Sequence, residues 1–155
     1  MDITTIFLAK YLLHVSAVVA VVFLCKQPRE KQRKILVLAL TLFSLSYLVA
    51  KIAGYFFFSP RPFVVGNFTP LIPHAPNNGF PSDHTLLAAA VALVVFHFQK
   101  RLGLLLLFFA FLVGLARVLA GVHHWTDIFG GLAIALTVYV IVEKFLEIFF
   151  QNKNS

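Results

Sequence analysis

Five apolar stretches dominate this sequence, at residues 5–24, 35–58, 84–98, 102–120 and 126–150, and the first four carry at most one Asp, Glu, Lys or Arg each. A bilayer takes about 20 residues of helix to cross, and about 17 when the ends are helped. The first, second, fourth and fifth stretches reach that length. The third is a few residues short and needs a turn from its flanks. A further span would have to come from residues 59–81, which hold six of the seven prolines, and is rejected on that ground. The expected fold is all-α: a polytopic membrane helix bundle of five transmembrane helices, six at most. Residues 1–155 are read as a single integral-membrane domain, since the length is too short for two.

Composition agrees with that frame. The chain is 60% hydrophobic and 12% charged, where soluble domains are about 45–50% apolar and about 25% charged. A soluble enzyme, a disordered chain and a nucleic-acid-binding module are excluded. The one cysteine, Cys25, forms no internal disulfide and has no second thiol for a metal site. The first apolar stretch is a poor signal peptide, with Asp2 in front of it and the basic cluster behind.

Charge placement sets the orientation. If the stretches alternate, one side holds Lys26, Arg29, Lys31, Arg33, Lys34, Lys100, Arg101, Lys144 and Lys153, nine of the thirteen basic residues. Basic loops stay in the cytoplasm, so this side is inside, the N-terminus is outside and the C-terminus is inside. The net charge of +7 is largely accounted for by topology, and no nucleic-acid partner is required.

The outer side is the informative one. The connection at 59–81 is long, rich in Pro, Asn and Gly, and loops of that kind are functional or disordered. The second outer connection, 121–125, is short. Alternation brings both to one membrane face, and there the unusual polar residues gather: Lys51, Arg61, Ser82, Asp83, His84, Arg117, His123, His124 and Asp127. A single Lys or Arg in a helix end often snorkels to the interface. Three cations at one face with only two nearby acids call for an anion, and Arg grips phosphate in bidentate fashion.

Pro81-Ser82-Asp83-His84 reads as a helix start, with Ser82 as N-cap and free backbone N–H groups forming an anion site. A histidine at such a mouth, His84, is able to donate or accept a proton near neutral pH, which alone is weak evidence of a role. Asp127 follows His123 by four residues and His124 by three, so a helix would put it beside either, and spacing does not choose between them. A carboxylate on one ring nitrogen leaves the other free as nucleophile or base. A metal site has too few ligands beside three cations, so no metal and no cofactor are expected. Two histidines, one backed by a carboxylate, facing three cations describe phosphoryl transfer without a metal. His14 and His97 lie elsewhere and are read as packing or interface residues. His74, in the outer loop, has no assigned role.

At these residues the sequence resembles the type 2 phosphatidic acid phosphatase superfamily of integral-membrane lipid phosphatases. Its motifs appear here as Lys51…Arg61-Pro62, Pro81-Ser82-Asp83-His84 and Ala116-Arg117-x5-His123-x3-Asp127, across roughly residues 45–135. The resemblance implies His123 as nucleophile, His84 as general acid and Asp127 as the group orienting His123. Lys51, Arg61, Ser82, Asp83 and Arg117 take the phosphate-binding positions. The chain departs from the pattern in three places: nine residues separate Lys51 from Arg61 where the family has six, Asp83 stands for Gly, and Ala116 stands for Ser. The variant motifs look most like bacterial undecaprenyl-diphosphate phosphatases. That likeness implies a lipid phosphate substrate among membrane lipids, a bacterial cytoplasmic (inner) membrane and an active site on its outer face. Phosphatidylglycerophosphate, phosphatidic acid and lipid A 1-phosphate are the alternative substrates. A small transporter is the rival from another class, but it would place charges near the midplane and show inverted repeats.

Overall fold

The structure, a computed structural model, describes residues 2–151, with side chains for residues 3–146. Lys153, counted above on the basic side, lies outside the described residues. Helices α1 (Asp2–Cys25), α2 (Arg29–Phe56), α3 (Pro62–Val65), α4 (Asp83–Phe98), α5 (Lys100–Leu119) and α6 (Trp125–Gln151) follow in order, and the described residues contain no strand. α1, α2, α5 and α6 are long and apolar enough to cross a membrane. α4, with 16 residues, is the shorter apolar helix.

α4 is the axis of the bundle. It packs against α1, α2, α5 and α6, and the run from Ala88 to Val95 is buried without a break. Its Ala88, Ala89, Ala90 and Ala92 let the neighbouring helices approach closely, as small residues do between membrane helices. The outer helices turn their large apolar side chains outward instead, among them Val37, Leu40, Leu104, Phe108, Ile141 and Phe145. In water such a surface would be a liability; in a bilayer it is the surface the lipid requires.

One element boundary differs from expectation. The basic segment read as a loop over 25–34 is mostly helical, because α2 starts at Arg29, well before the apolar stretch begins. Arg, Glu, Lys and Gln are good helix formers, so a helix can start before its first apolar residue. Here the Gln32 N–H donates to the Pro28 carbonyl at 2.9 Å and Lys34 pairs with Glu30 at 2.9 Å, one turn apart. Arg29, Lys31, Arg33 and Lys34 therefore ride on the first turns of α2, and Lys31 lies over the rings of Phe23 (5.9 Å) and Phe98 (5.8 Å). That contact ties the α1–α2 turn to the α4–α5 turn at one end of the bundle.

The opposite end carries the two polar connections, and they interlock. Leu71 N donates to Ala120 O at 3.0 Å, Gly79 N to Ser59 O at 2.8 Å, and Ser82 N to Asp127 O at 3.0 Å. Pro62, at the first position of α3, starts a single turn of helix that the Pro-rich sequence did not announce. Gly121 takes φ +75°, and a Cβ there would lie 2.6 Å from Phe68. Both the left-handed turn and the close approach exclude a side chain.

Candidate active site

α6 begins at Trp125, so His123 and Asp127 do not share a helix face, and the spacing argument needs correction. They meet because the chain folds back at the helix start. Asp127 is the third residue of α6, and its Oδ2 accepts from the His124 backbone N–H at 2.9 Å and from His123 Nδ1 at 3.2 Å. The first bond is the return half of a capping box, and a carboxylate is favoured at a helix N-terminus. The second bond distinguishes the two histidines. The His124 ring turns away, its Nε2 donating to Pro60 O at 3.1 Å, while His123 is 2% exposed and seated on the carboxylate.

The far nitrogen of His123 faces a cation. Arg61 Nη1 lies 3.3 Å from His123 Nε2. A guanidinium only donates, so Nε2 carries the lone pair and Nδ1 the proton shared with Asp127. Arg61 is held on all sides: Nε donates to Asn77 Oδ1 (3.0 Å), Nη1 to Val122 O (2.8 Å) and Nη2 to Asn78 O (3.2 Å). Burial pushes its guanidinium below the usual arginine value, against the opposing pull of Asp127 and Asp83. Burial likewise holds the His123 imidazole below the usual histidine value and outweighs the hydrogen bond to Asp127, with Arg61 adding to the depression. His123 is therefore neutral at pH 7.

Across the site, Arg117 Nη2 lies 2.6 Å from His84 Nδ1 and 3.1 Å from its Nε2. Arg117 is 4% exposed, and its Nε has no hydrogen-bond partner among the described residues. Lys51, Arg61, Asp83, His84 and His123 line one cavity of ≈580 Å³ with His74, Asn77 and Asn78. Lys51 sits at its exposed mouth, 3.6 Å from Asp83 and 4.8 Å from the Tyr47 ring centroid. An exposed pair at that separation adds little to stability. Ser82 does not line this cavity. It is fully buried, and its hydroxyl caps α4 by accepting from Thr85 N at 3.5 Å and Thr85 Oγ1 at 3.1 Å. His97 pairs with Glu143 (3.4 Å) at the other end of α4, and His14 donates back to Lys10 O (2.9 Å) along α1. Among the described residues, no three His, Cys, Asp or Glu side chains are grouped as a metal ion would need.

Sequence reasoning passed over three residues: His74, Asn77 and Asn78. Asn78 Oδ1 accepts from Ser59 N (2.9 Å) and Phe80 N (3.0 Å), while Nδ2 donates to Gly54 O (2.8 Å) and Phe57 O (3.0 Å). One side chain thus joins the end of α2, the strand-like turn carrying Arg61 and the approach to α4. Asn in a Pro- and Gly-rich loop is a standing signal for side-chain bonding to backbone, but which backbone it reaches is a tertiary matter. Next to it, a Cβ on Gly79 would lie 2.8 Å from Asp127 Oδ2, so only glycine lets the loop close over the carboxylate. Asn78→Ala should lower stability by about 1–3 kcal/mol, since it strands several polar backbone groups. The expected readout is a lower thermal midpoint in detergent and faster protease cleavage within 59–81, and an unchanged cleavage rate would contradict the linking role.

A family profile described as the PAP2 superfamily matches residues 34–149. The chain is 35% identical over 126 residues to the bacitracin transport permease protein BcrC of Bacillus licheniformis, covering 81% of this chain and 62% of that protein. It is 33% identical over 104 residues to the undecaprenyl-diphosphatase BcrC of Bacillus subtilis (strain 168), covering 67% of this chain and 52% of that protein. It thus spans between about half and two thirds of the length of these curated relatives. The crystal structure of Aquifex aeolicus LpxE superposes with a TM-score of 0.74 at 27% identity, covering 92% of this chain and 85% of that one. With the profile running from the early turns of α2 to the end of α6, through every residue of the site, the chain belongs to the PAP2 superfamily.

Proposed function

We propose that this protein is a membrane lipid phosphatase that cleaves undecaprenyl diphosphate, or a shorter polyprenyl diphosphate, to the monophosphate and inorganic phosphate. The observation that carries the reading is the His123–Asp127 pair facing Arg61 across the cavity that Lys51 and His84 also line. In this mechanism the Nε2 lone pair of His123 attacks the terminal phosphorus. The N–P bond forms as the P–O bond to the lipid monophosphate breaks. His84 gives its proton to the departing oxygen, then takes one from the water that hydrolyses the phosphohistidine. Asp127 holds the His123 tautomer and stabilises the cation that forms on the ring. Arg61, Arg117 and Lys51 stabilise the charge on the phosphoryl oxygens. Arg117 leaves His84 for the phosphate, and the freed nitrogen of His84 takes a proton from solvent, which is the proton it then gives to the departing oxygen. Ser82 and Asp83 contribute through the start of α4, where the Asp83 and His84 N–H groups belong to the first turn that has no intrahelical acceptor. The Asp83 carboxylate acts on Lys51 rather than on the anion. No step needs a metal or cofactor.

The choice of a diphosphate follows the relative named undecaprenyl-diphosphatase and the spread of the cations over three elements. A permease reading, which another relative's name offers, gives the His123–Asp127 pair no task. Phosphate release from purified lipids separates the readings. Polyprenyl diphosphate should be cleaved in chelator, with higher kcat/KM than phosphatidic acid or phosphatidylglycerophosphate. Preference for a glycerophospholipid monoester would move the substrate and leave the chemistry intact; release from none of them would end the phosphatase reading.

His123→Ala should lower kcat by about 10³-fold or more, because the nucleophile is gone, while His124→Ala retains a substantial share. Comparable losses in both variants would remove the distinction drawn from Asp127. The pH profile follows from burial of the same ring. Protonation removes the attacking lone pair, so kcat/KM falls as pH drops through a His123 pKa held below its usual value of about 6.5. The acid limb should have its midpoint below pH 6.5, and a midpoint above it would count against His123 as the neutral nucleophile.

The site is proposed to face outward from a bacterial cytoplasmic membrane, on the strength of the basic residues gathered at the opposite end. In a Cys25→Ser background, a cysteine at the exposed Thr69 should react with a membrane-impermeant thiol reagent in intact cells, and one at the exposed Gln99 should not. The reverse pattern would invert the topology.

A further inference from the structure

His74 stands inside the candidate site without a task in the chemistry above. It comes from the long connection between α2 and α4 and lines the same cavity as Lys51, Arg61, His84 and His123. Its ring meets the His123 ring edge to face, with centroids 5.9 Å apart and planes at 79°. It is half-buried. Its Nδ1 donates to the Ala75 carbonyl at 3.3 Å, so that nitrogen holds the proton in the neutral ring, and Nε2 has no hydrogen-bond partner among the described residues.

We propose that His74 is a further phosphate-binding residue of this cavity, contacting an oxygen of the bound anion through Nε2. This deepens the phosphatase reading and rests on it. The ring is surrounded by cations and donors: Arg61 on its own connection, Arg117 at the end of α5, His123 on the 120–124 turn and His84 on α4, with the Lys51–Asp83 pair at the mouth. Burial and the charge of Arg61 hold the imidazole below its usual value, so it is neutral there and adds no repulsion to the cluster. An entering phosphate cancels that field. Nε2 then takes a proton from solvent and donates to an oxygen, while Nδ1–H keeps its bond to Ala75. The result is a charge-assisted hydrogen bond formed only with the anion present. A histidine that merely packed the loop would gain nothing from an anion.

Orthovanadate, a phosphate mimic, is the probe, used on the purified full chain between pH 6 and pH 8. His74→Ala should weaken vanadate inhibition and raise KM about tenfold at pH 6, with most of the loss on KM rather than kcat. The advantage of the wild type should shrink towards pH 8, where protonating the ring costs more. His74→Gln, which keeps a neutral donor, should recover part of the KM but not the pH dependence, and it decides the matter if the alanine variant does not fold. Equal vanadate inhibition of wild type and a folded His74 variant at every pH would overturn the assignment. A wild type insensitive to vanadate, or turnover by His123→Ala, would instead overturn the phosphatase reading beneath it.

Discussion

Asp127 Oδ2 accepts two hydrogen bonds, from His123 Nδ1 and from the His124 backbone N–H, and the direction of the site depends on both. The backbone bond closes the first turn of α6 and so fixes where the 120–124 turn leaves the helix. The side-chain bond then points the opposite nitrogen of His123 into the cavity. A fully buried carboxylate is expensive unless its partners are in place. Here the partners are His123 and the His124 N–H, both on Oδ2, while Oδ1 has no hydrogen-bond partner among the described residues. A glycine at 79 lets the loop close over Oδ2, and the Ser82 N–H bonds the Asp127 backbone carbonyl. Neutralising this one side chain would loosen a helix start, a loop closure and an imidazole together.

The cations pose the complementary problem. Arg61 and Arg117 are each 4% exposed, and a buried guanidinium needs acceptors for its five donors. Arg61 finds them in Asn77, Asn78 and Val122, all neutral, so it stays fixed without a carboxylate to quench it. Arg117 finds fewer, with Ala9 O at 3.5 Å, the His84 ring and a bare Nε. One arginine is thus rigidly placed and the other only partly committed. That difference suits the exchange proposed for Arg117, from His84 to a phosphate. Both sit at the end of the bundle, where the helices stop and polar loops begin, so neither charge is exposed to hydrocarbon.

Much of the fold was legible in the sequence because the bilayer is a uniform constraint. Apolar length gave the crossing helices, alternation gave the face on which Lys51, Arg61, His84, Arg117, His123 and Asp127 collect, and the resemblance gave them roles. The failures were local and specific. The start of α2 was misplaced because Arg, Glu, Lys and Gln are good helix formers, a preference that hydropathy does not register. Ser82 is the N-cap expected of it, but nothing in the motif showed that its side chain is buried rather than lining the cavity. Asn78 and His74 were passed over because their partners lie on α2, α4 and the 120–124 turn, across sequence distances no periodicity measures.

The sequence by itself determined that the chain is a membrane helix bundle with its chemistry at one end, because hydrophobic length and charge sign are properties of composition and order. Spacing left His123 and His124 equal partners for Asp127; the resemblance implied His123, and tertiary structure supplied the physical reason. Tertiary structure alone decided that α4 is the buried axis and that His74 joins the cavity. Those outcomes depend on how a helix start folds back and how a Pro-rich loop lies across it. Such distances are set by many weak contacts acting together, and no single stretch of residues contains them.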